Sequence, residues 1–310
     1  MPFADHLKKA ELHVHLEGSI EPETLREIAP ALSLEEIRAR YSHDSFDEFL
    51  QNFGWVAKHL KQPRDYAIAT RRLLERLHGQ NVTYAEITLS AGVVLWKGQD
   101  PAAVHDAVRE AAASSPVEVH WIWDAVRQWG VEKAAQVAEM AADRVEDGVV
   151  AFGLGGDEAN GPARDFASVF AYAGKRGLRL VCHAGEALGA DSVWQALEVG
   201  AERIGHGIGS IEDPMLVRHL RDRRIPLEIC PSSNFATGAA ARHGEYPLRR
   251  LVEAGVPVVL NTDDPAMFHC TLNGEYRRAG DEFGLDETQL RTLAGNSFRY
   301  AFRHETIRAC

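Results

Sequence analysis

His13 and His15 stand two residues apart in the apolar run ELHVHL, so on a strand their imidazoles face the same side. Three further apolar runs end in polar groups: Cys182-His183-Ala184-Gly185-Glu186, Gly205-His206-Gly207 and Asn261-Thr262-Asp263-Asp264-Pro265. Core strands do not ordinarily finish this way, because a buried unpaired charge is expensive. Imidazoles and a carboxylate gathered in one place suit a divalent cation of the zinc type, with a position left for water. Such a cation lowers the pKa of water from ~15.7 to about 7 and makes it a nucleophile at neutral pH. Glu186, three residues past His183, is a carboxyl group placed to receive and return the proton.

The elements that must position these residues follow from the spacing of the apolar runs. Eight such runs occupy 11–16, 83–90, 117–126, 149–156, 179–186, 203–207, 226–231 and 256–264. From the second onward their starts lie between 23 and 34 residues apart, the spacing of successive βα units. Amphipathic stretches such as 101–113, 131–146 and 213–224 lie between them; two open with Asp-Pro, the expected start of a helix. Eight alternations predict a parallel sheet closed into a (β/α)8 TIM barrel. An open doubly wound sheet would announce a GxGxxG turn after its first strand, and none is present. The first interval is long and holds four helical stretches near 21–30, 35–41, 45–60 and 63–79. We read them as a helical insertion after the first strand, at about 21–80, covering the C-terminal mouth of one domain over 1–310.

Composition narrows the partners. The 310 residues are 45% hydrophobic and 25% charged, ordinary for a globular protein and against disorder, collagen or coiled coil. A formal net charge of −11 repels phosphate backbones and anionic lipid, so neither nucleic acid nor a membrane is expected as partner. There is no apolar window of ~20 residues, and MPFADHLKKAELHVHL lacks the pattern of a signal peptide. Cys182, Cys230, Cys270 and Cys310 form no CxxC pair, and the first two sit in apolar strand runs as buried thiols. These features are expected of a cytoplasmic protein.

ELHVHLEGSI, HAGE, RIGHG, CPSSNFATG and LNTDDP, in this order between residues 11 and 265, together resemble the adenosine deaminase family of the amidohydrolase superfamily. The resemblance implies a (β/α)8 barrel holding one Zn²⁺ per chain. It also implies hydrolytic deamination of a small-molecule 6-aminopurine nucleoside to the 6-oxopurine and ammonia. The nucleoside would be adenosine or a 5′-modified adenosine such as 6-amino-6-deoxyfutalosine. Carried over by motif, His13, His15, His183 and Asp263 are the implied zinc ligands, Glu186 the proton shuttle, and His206 the histidine beside the attacking water. Asp264 corresponds to the carboxylate facing purine N7, and Gly156 to the glycine whose backbone N–H meets N3. Glu17 corresponds to the acidic residue at the ribose 5′-hydroxyl. Adenosine-specific members carry HLDG there, whereas this HLEG is common among relatives acting on adenine or on other 6-aminopurine nucleosides. A Glu either crowds that hydroxyl or folds aside and admits a bulkier 5′ group.

The chemistry asks for the same groups. C6 of the purine becomes electrophilic only when N1 takes a proton, and ammonia leaves only as a protonated amine. One carboxyl of raised pKa serves both transfers.

Competing readings lack their own marks. Cytidine-deaminase-type enzymes need a PCxxC segment, which is absent. A binuclear amidohydrolase needs a bridging Lys or Glu at the end of the fourth strand, where VVAFGLGGDE has no Lys and places its acids after the double glycine. A metal-dependent phosphoesterase needs a larger His and carboxylate cluster. A catalytically silent barrel acting as a binding protein would have lost Glu186, His206 or a ligand. Free adenine stays open as an alternative substrate.

Other polar and aromatic residues are read as supports. His105, His219 and His243 are expected on the surface and His120 as a structural histidine. Trp55, Trp96, Trp121, Trp123 and Phe53 are expected in the core or the pocket wall, with Phe53 and Trp55 against the base. Asp157 and Glu158 are expected to cap or support, and Ser232, Ser233 and Asn234 to reach the mouth with hydrogen bonds.

Overall fold

The fold rests on a computed structural model that describes residues 3–43 and 45–302; Cys310 lies outside the described residues. Eight parallel strands neighbour one another in chain order. They are β1 (Lys9–His15), β2 (Val82–Leu89), β3 (Glu118–Val126), β4 (Val149–Gly155), β5 (Arg179–Ala184), β6 (Arg203–His206), β7 (Leu227–Ile229) and β8 (Val258–Leu260). Each lies within an expected apolar run or overlaps most of it. The barrel closes beyond the end of β8, where Asp263 bridges Val14 in parallel. The His15 N–H donates to the Asp263 carbonyl at 2.8 Å, and the Asp263 N–H to the His13 carbonyl at 2.9 Å.

Strands such as β4, buried at every residue, read as continuous apolar runs because helices cover their outer side. The helix Val131–Ala142 buries Ala134, Val137, Ala138, Ala141 and Ala142, a stripe of helical period. Asp100 and Asp213 cap the helices that Pro101 and Pro214 open, accepting from the backbone N–H of Ala102 and Met215. Between β1 and β2 the chain forms the helices Pro22–Ile28, Leu34–Arg40, Phe46–His59 and Pro63–His78. Lys97 anchors the end of the third by donating to the carbonyls of Ala57 (2.7 Å) and Leu60 (2.6 Å). Among the described residues, no helix is long and apolar enough to cross a membrane.

His105 departs from expectation. It is fully buried, receives the Trp123 indole N–H at 3.4 Å and pairs its other nitrogen with the Asp147 carbonyl at 3.1 Å. It shares the inner face of its helix with Val104, Val108 and Ala111, and that periodicity is visible in the sequence. His219 and His243 are part-buried, the first against the Trp194 ring at 5.1 Å.

The barrel interior is polar below the mouth. The buried Arg203 pairs Nη2 with Glu86 Oε2 and Nε with Glu228 Oε1, both at 2.5 Å. Its Nη1 donates to the Tyr300 carbonyl at 2.9 Å, and the Phe302 ring lies 3.7 Å from its guanidinium carbon. Removing one member of such a group leaves buried carboxylates uncompensated, at ~3–5 kcal/mol. Arg203→Met is therefore expected to lower the melting temperature by roughly 5–10 °C, read by calorimetry. A shift under about 2 °C would show the group to be replaceable by packing.

Candidate active site

Because all strands run parallel, their C-terminal ends meet at one rim. His13 and His15 come from β1, His183 from β5 and His206 from β6, while Asp263 follows β8. His15 Nε2 lies 3.3 Å from His183 Nε2. Asp263 Oδ1 lies 3.3 Å from both His13 Nε2 and His15 Nε2. On distance, two overlapping groups can hold a cation: His13, His183, His206 and Asp263, and His15, Asp263 and Asp264.

The second ring nitrogen of His13 donates to Glu228 Oε2 at 2.8 Å, which leaves Nε2 a lone pair. That buried Nε2 has no hydrogen-bond partner. Burial drives His15 down to about 4 and holds His183 well below its ordinary value. Burial opposes charge on Asp263, but the close contact with His13 and the surrounding imidazoles hold it well below the usual carboxylate range. Burial works against His13 as well, yet the carboxylates at both its nitrogens outweigh it and lift it to about 10. Neutral imidazoles at His15 and His183, an ionised Asp263, and carboxylates that favour positive charge beside His13 fit a cation bound by nitrogen and oxygen. The 3.3 Å separations fit too, since a tetrahedron with bonds of ~2.0–2.1 Å has edges of about 3.3–3.4 Å.

Glu186 lies just past β5, with Oε2 3.5 Å from His206 Nε2 and Oε1 accepting from the Thr237 hydroxyl at 3.3 Å. Burial, then the charges of Asp263 and Glu158, push its carboxyl up to about 8. Burial and the Asp263 charge likewise hold Asp264 well above its ordinary value. Gly18 makes room for that side chain: a Cβ there would stand 1.7 Å from Asp264 Oδ1. Gly156 adopts φ +96°, and a Cβ there would meet Gln128 Oε1 at 2.3 Å.

One cavity of about 390 Å³ joins His15, Gly156, His183, Glu186, His206, Asp263 and Asp264 to an outer chamber walled by Phe46, Phe49, Phe53, Trp96 and Trp129. His13 sits behind the other histidines, 3% exposed. Glu17 does not line this cavity. It is fully buried and accepts from the N–H of Ser90, itself a lining residue, at 3.3 and 3.4 Å. Phe53 lines the chamber, whereas Trp55 packs against His59, and Trp121 and Trp123 are core.

Asp124 and Arg127 are site residues that the sequence reading does not name, while Glu158, Ser233 and Asn234 take the supporting places expected of them. Asp124, at the end of β3, lines the cavity, and burial raises its carboxyl well above its ordinary value. Its signal was there: a lone acid closing the apolar run VEVHWIWDAV. The buried Arg127 donates to the carbonyls of Leu154 (3.2 Å) and His183 (2.5 Å), beneath the β5 loop. Glu158 accepts from the N–H groups of Gly185 (2.5 Å), Ala187 (2.8 Å) and Leu188 (3.0 Å), and so holds the loop that carries Glu186. Ser233 donates to Asp263 Oδ2 at 2.7 Å, and Asn234 contacts His206 Nδ1 at 3.0 Å.

The adenosine deaminase family profile matches residues 8–309. The chain is 39% identical to the aminodeoxyfutalosine deaminase of Streptomyces avermitilis, over 97% of its length and 88% of that protein's. It is 36% identical to the adenine deaminase of Rhizobium leguminosarum bv. trifolii, over 98% and 97% of the two chains. The crystal structure of adenine deaminase from Arthrobacter aurescens superposes with a TM-score of 0.89 at 28% identity, covering 96% and 95% of the two chains. With barrel, rim and sequence in agreement, the chain belongs to the adenosine deaminase family and is a hydrolase acting on C–N bonds.

Proposed function

We propose that this protein hydrolytically deaminates the 6-aminopurine of a nucleoside, and that the nucleoside carries an enlarged 5′ group, as 6-amino-6-deoxyfutalosine does. The observation that carries the reading is one continuous cavity with raised-pKa carboxyls and histidines at its inner end and an aromatic chamber beyond. A bare base would leave that chamber empty. Glu17, held by the Ser90 N–H and outside the cavity lining, leaves the 5′ side open. The identity to an aminodeoxyfutalosine deaminase supports this choice. Free adenine is the second reading, favoured by the adenine deaminases among the relatives.

In this reading His13, His15, His183 and Asp263 hold one Zn²⁺, which when bound activates water at neutral pH. Glu186, protonated near neutrality, gives its proton to N1 and so makes C6 electrophilic. It takes a proton from the water as the C6–O bond forms and passes it to the amine. The C6–N bond then breaks, and the hydroxyl proton returns to Glu186 as the carbonyl forms and ammonia leaves. Asp264, whose carboxyl burial holds well above its ordinary value, donates to N7, and the Gly156 N–H meets N3. Residues 1–310 act as one domain, with the helical insertion at about 21–80 as a lid over the mouth.

Three measurements test this. Purified enzyme is expected to carry about one equivalent of metal, and Asp263→Ala to lose both metal and rate; two equivalents in the native protein would refute the single site. Glu186→Gln is expected to lower kcat by at least ~10²–10⁴-fold while a purine ligand still binds; near-normal turnover would remove Glu186 from the mechanism. In a substrate panel, kcat/KM for 6-amino-6-deoxyfutalosine is expected to match or exceed that for adenosine. A preference for adenosine over every 5′-modified analogue by more than about tenfold, ~1.4 kcal/mol, would overturn the 5′ reading. A preference for adenine would overturn the nucleoside reading altogether.

A further inference from the structure

His206, Asn234 and Tyr246 form a buried chain that the reaction scheme leaves unused. Asn234 Nδ2 lies 3.0 Å from His206 Nδ1, and the Tyr246 hydroxyl lies 2.8 Å from Asn234 Oδ1. An amide has donors on one arm and an acceptor on the other, so its orientation decides which ring nitrogen of His206 carries the proton.

Two independent observations fix that orientation. The first is at Tyr246: among the described residues, Asn234 is the sole hydrogen-bond partner of its hydroxyl. A buried O–H left without an acceptor costs more than an acceptor left half-used, so the hydroxyl donates to Oδ1. Nδ2 then faces His206, and Nδ1 must be the acceptor. The second observation lies at the far side of the ring. His206 Nε2 lies 3.9 Å from Oδ2 of the ionised Asp263 carboxylate, an acceptor, and 3.5 Å from Glu186 Oε2. A lone pair there would be repelled, whereas an N–H is attracted.

We infer that Asn234 and Tyr246 are positioning residues that lock His206 in its Nε2–H tautomer. His206 is thereby a hydrogen-bond donor towards the oxygen that attacks C6, and no ligand to the cation. Distance alone groups His206 with His13, His183 and Asp263; the tautomer takes it out of that set. A donor held ready for an oxygen that gains charge acts without reorganisation during the reaction. The device differs from the one at His13, where the carboxylate of Glu228 fixes the opposite tautomer and frees Nε2 to bind. One barrel thus specifies two roles for the same side chain by what touches Nδ1: an acceptor makes a ligand, a donor makes a hydrogen-bonding group.

The test uses zinc-loaded enzyme labelled with ¹⁵N-histidine, with the His206 ring signals assigned by their loss in His206→Ala. Long-range ¹H–¹⁵N correlations are expected to show Nε2 protonated and Nδ1 bare in the wild type. Asn234→Asp puts an acceptor against Nδ1 and is expected to place a proton there. Its kcat is expected to fall by about 10²-fold or more, with KM within about threefold. Tyr246→Phe, which keeps the amide but frees it to turn, is expected to lose less. A wild-type ring protonated at Nδ1 overturns the inference, as does an Asn234→Asp variant that keeps both tautomer and kcat. Should that variant fail to fold, the wild-type spectrum alone decides. The kcat arm rests on the deaminase reading, but the spectrum does not. An enzyme with Nε2–H that deaminates no 6-aminopurine would defeat that reading and leave the tautomer standing.

Discussion

The site depends on how the last strand meets the first. β8 ends at Leu260, and the ring of strands is completed by Asp263, paired through its own N–H and carbonyl with His13 and His15. Without that pairing two strand edges would be left with open hydrogen-bonding groups. Asp263 adopts φ 65° to make it, a left-handed conformation that costs about 1–3 kcal/mol in a side-chain-bearing residue. The same residue carries the carboxylate 3.3 Å from two imidazoles. Barrel closure and cluster geometry are therefore one constraint. Ser233 takes Oδ2 and leaves Oδ1 turned to the histidines.

A cluster of this kind could not stand in an apolar barrel. Beneath it run His13, Glu228, Arg203 and Glu86, each buried and each paired with the next. Desolvating so many ionic groups is unfavourable unless their geometry is good, and the return is orientation: Glu228 fixes which nitrogen of His13 faces the rim. Glu158 plays the corresponding part for Glu186. Three N–H groups of the loop after β5 converge on its carboxylate, giving a fixed course to a segment that no strand or helix would hold.

Much of this was readable in the sequence because parallel topology turns strand ends into neighbours. HVH, CHAGE, GHG and NTDDP each break an apolar run, and a barrel brings such breaks to one rim. Asp124 is a break of the same sort and was passed over because no histidine accompanies it. Arg127 leaves no local signal, since its backbone partners depend on loop geometry, and Glu158 is legible as a support but not as the holder of the β5 loop. His105 runs against the expectation that a polar helix residue faces outward, because it shares the buried face of its helix with Val104 and Val108. Glu17 shows a different limit. The motif marks the position, but the side chain's direction is set by the Ser90 N–H, seventy-three residues away.

Burial also bears on which purine the inner pocket prefers to keep. Burial and the Asp263 charge raise both the Glu186 and the Asp264 carboxyls, and each, when protonated, offers a hydrogen to whatever lies against it. In the proposed scheme a 6-aminopurine answers with two ring acceptors, N1 and N7. The 6-oxopurine retains N7 but carries a proton on N1, which then faces the proton of Glu186. Two buried donors opposed to each other lose a hydrogen bond and its desolvation, typically ~1–3 kcal/mol. In that scheme the raised carboxyl that starts the reaction would also disfavour its product, so that one electrostatic feature of the barrel, burial beside Asp263, would serve both turnover and release.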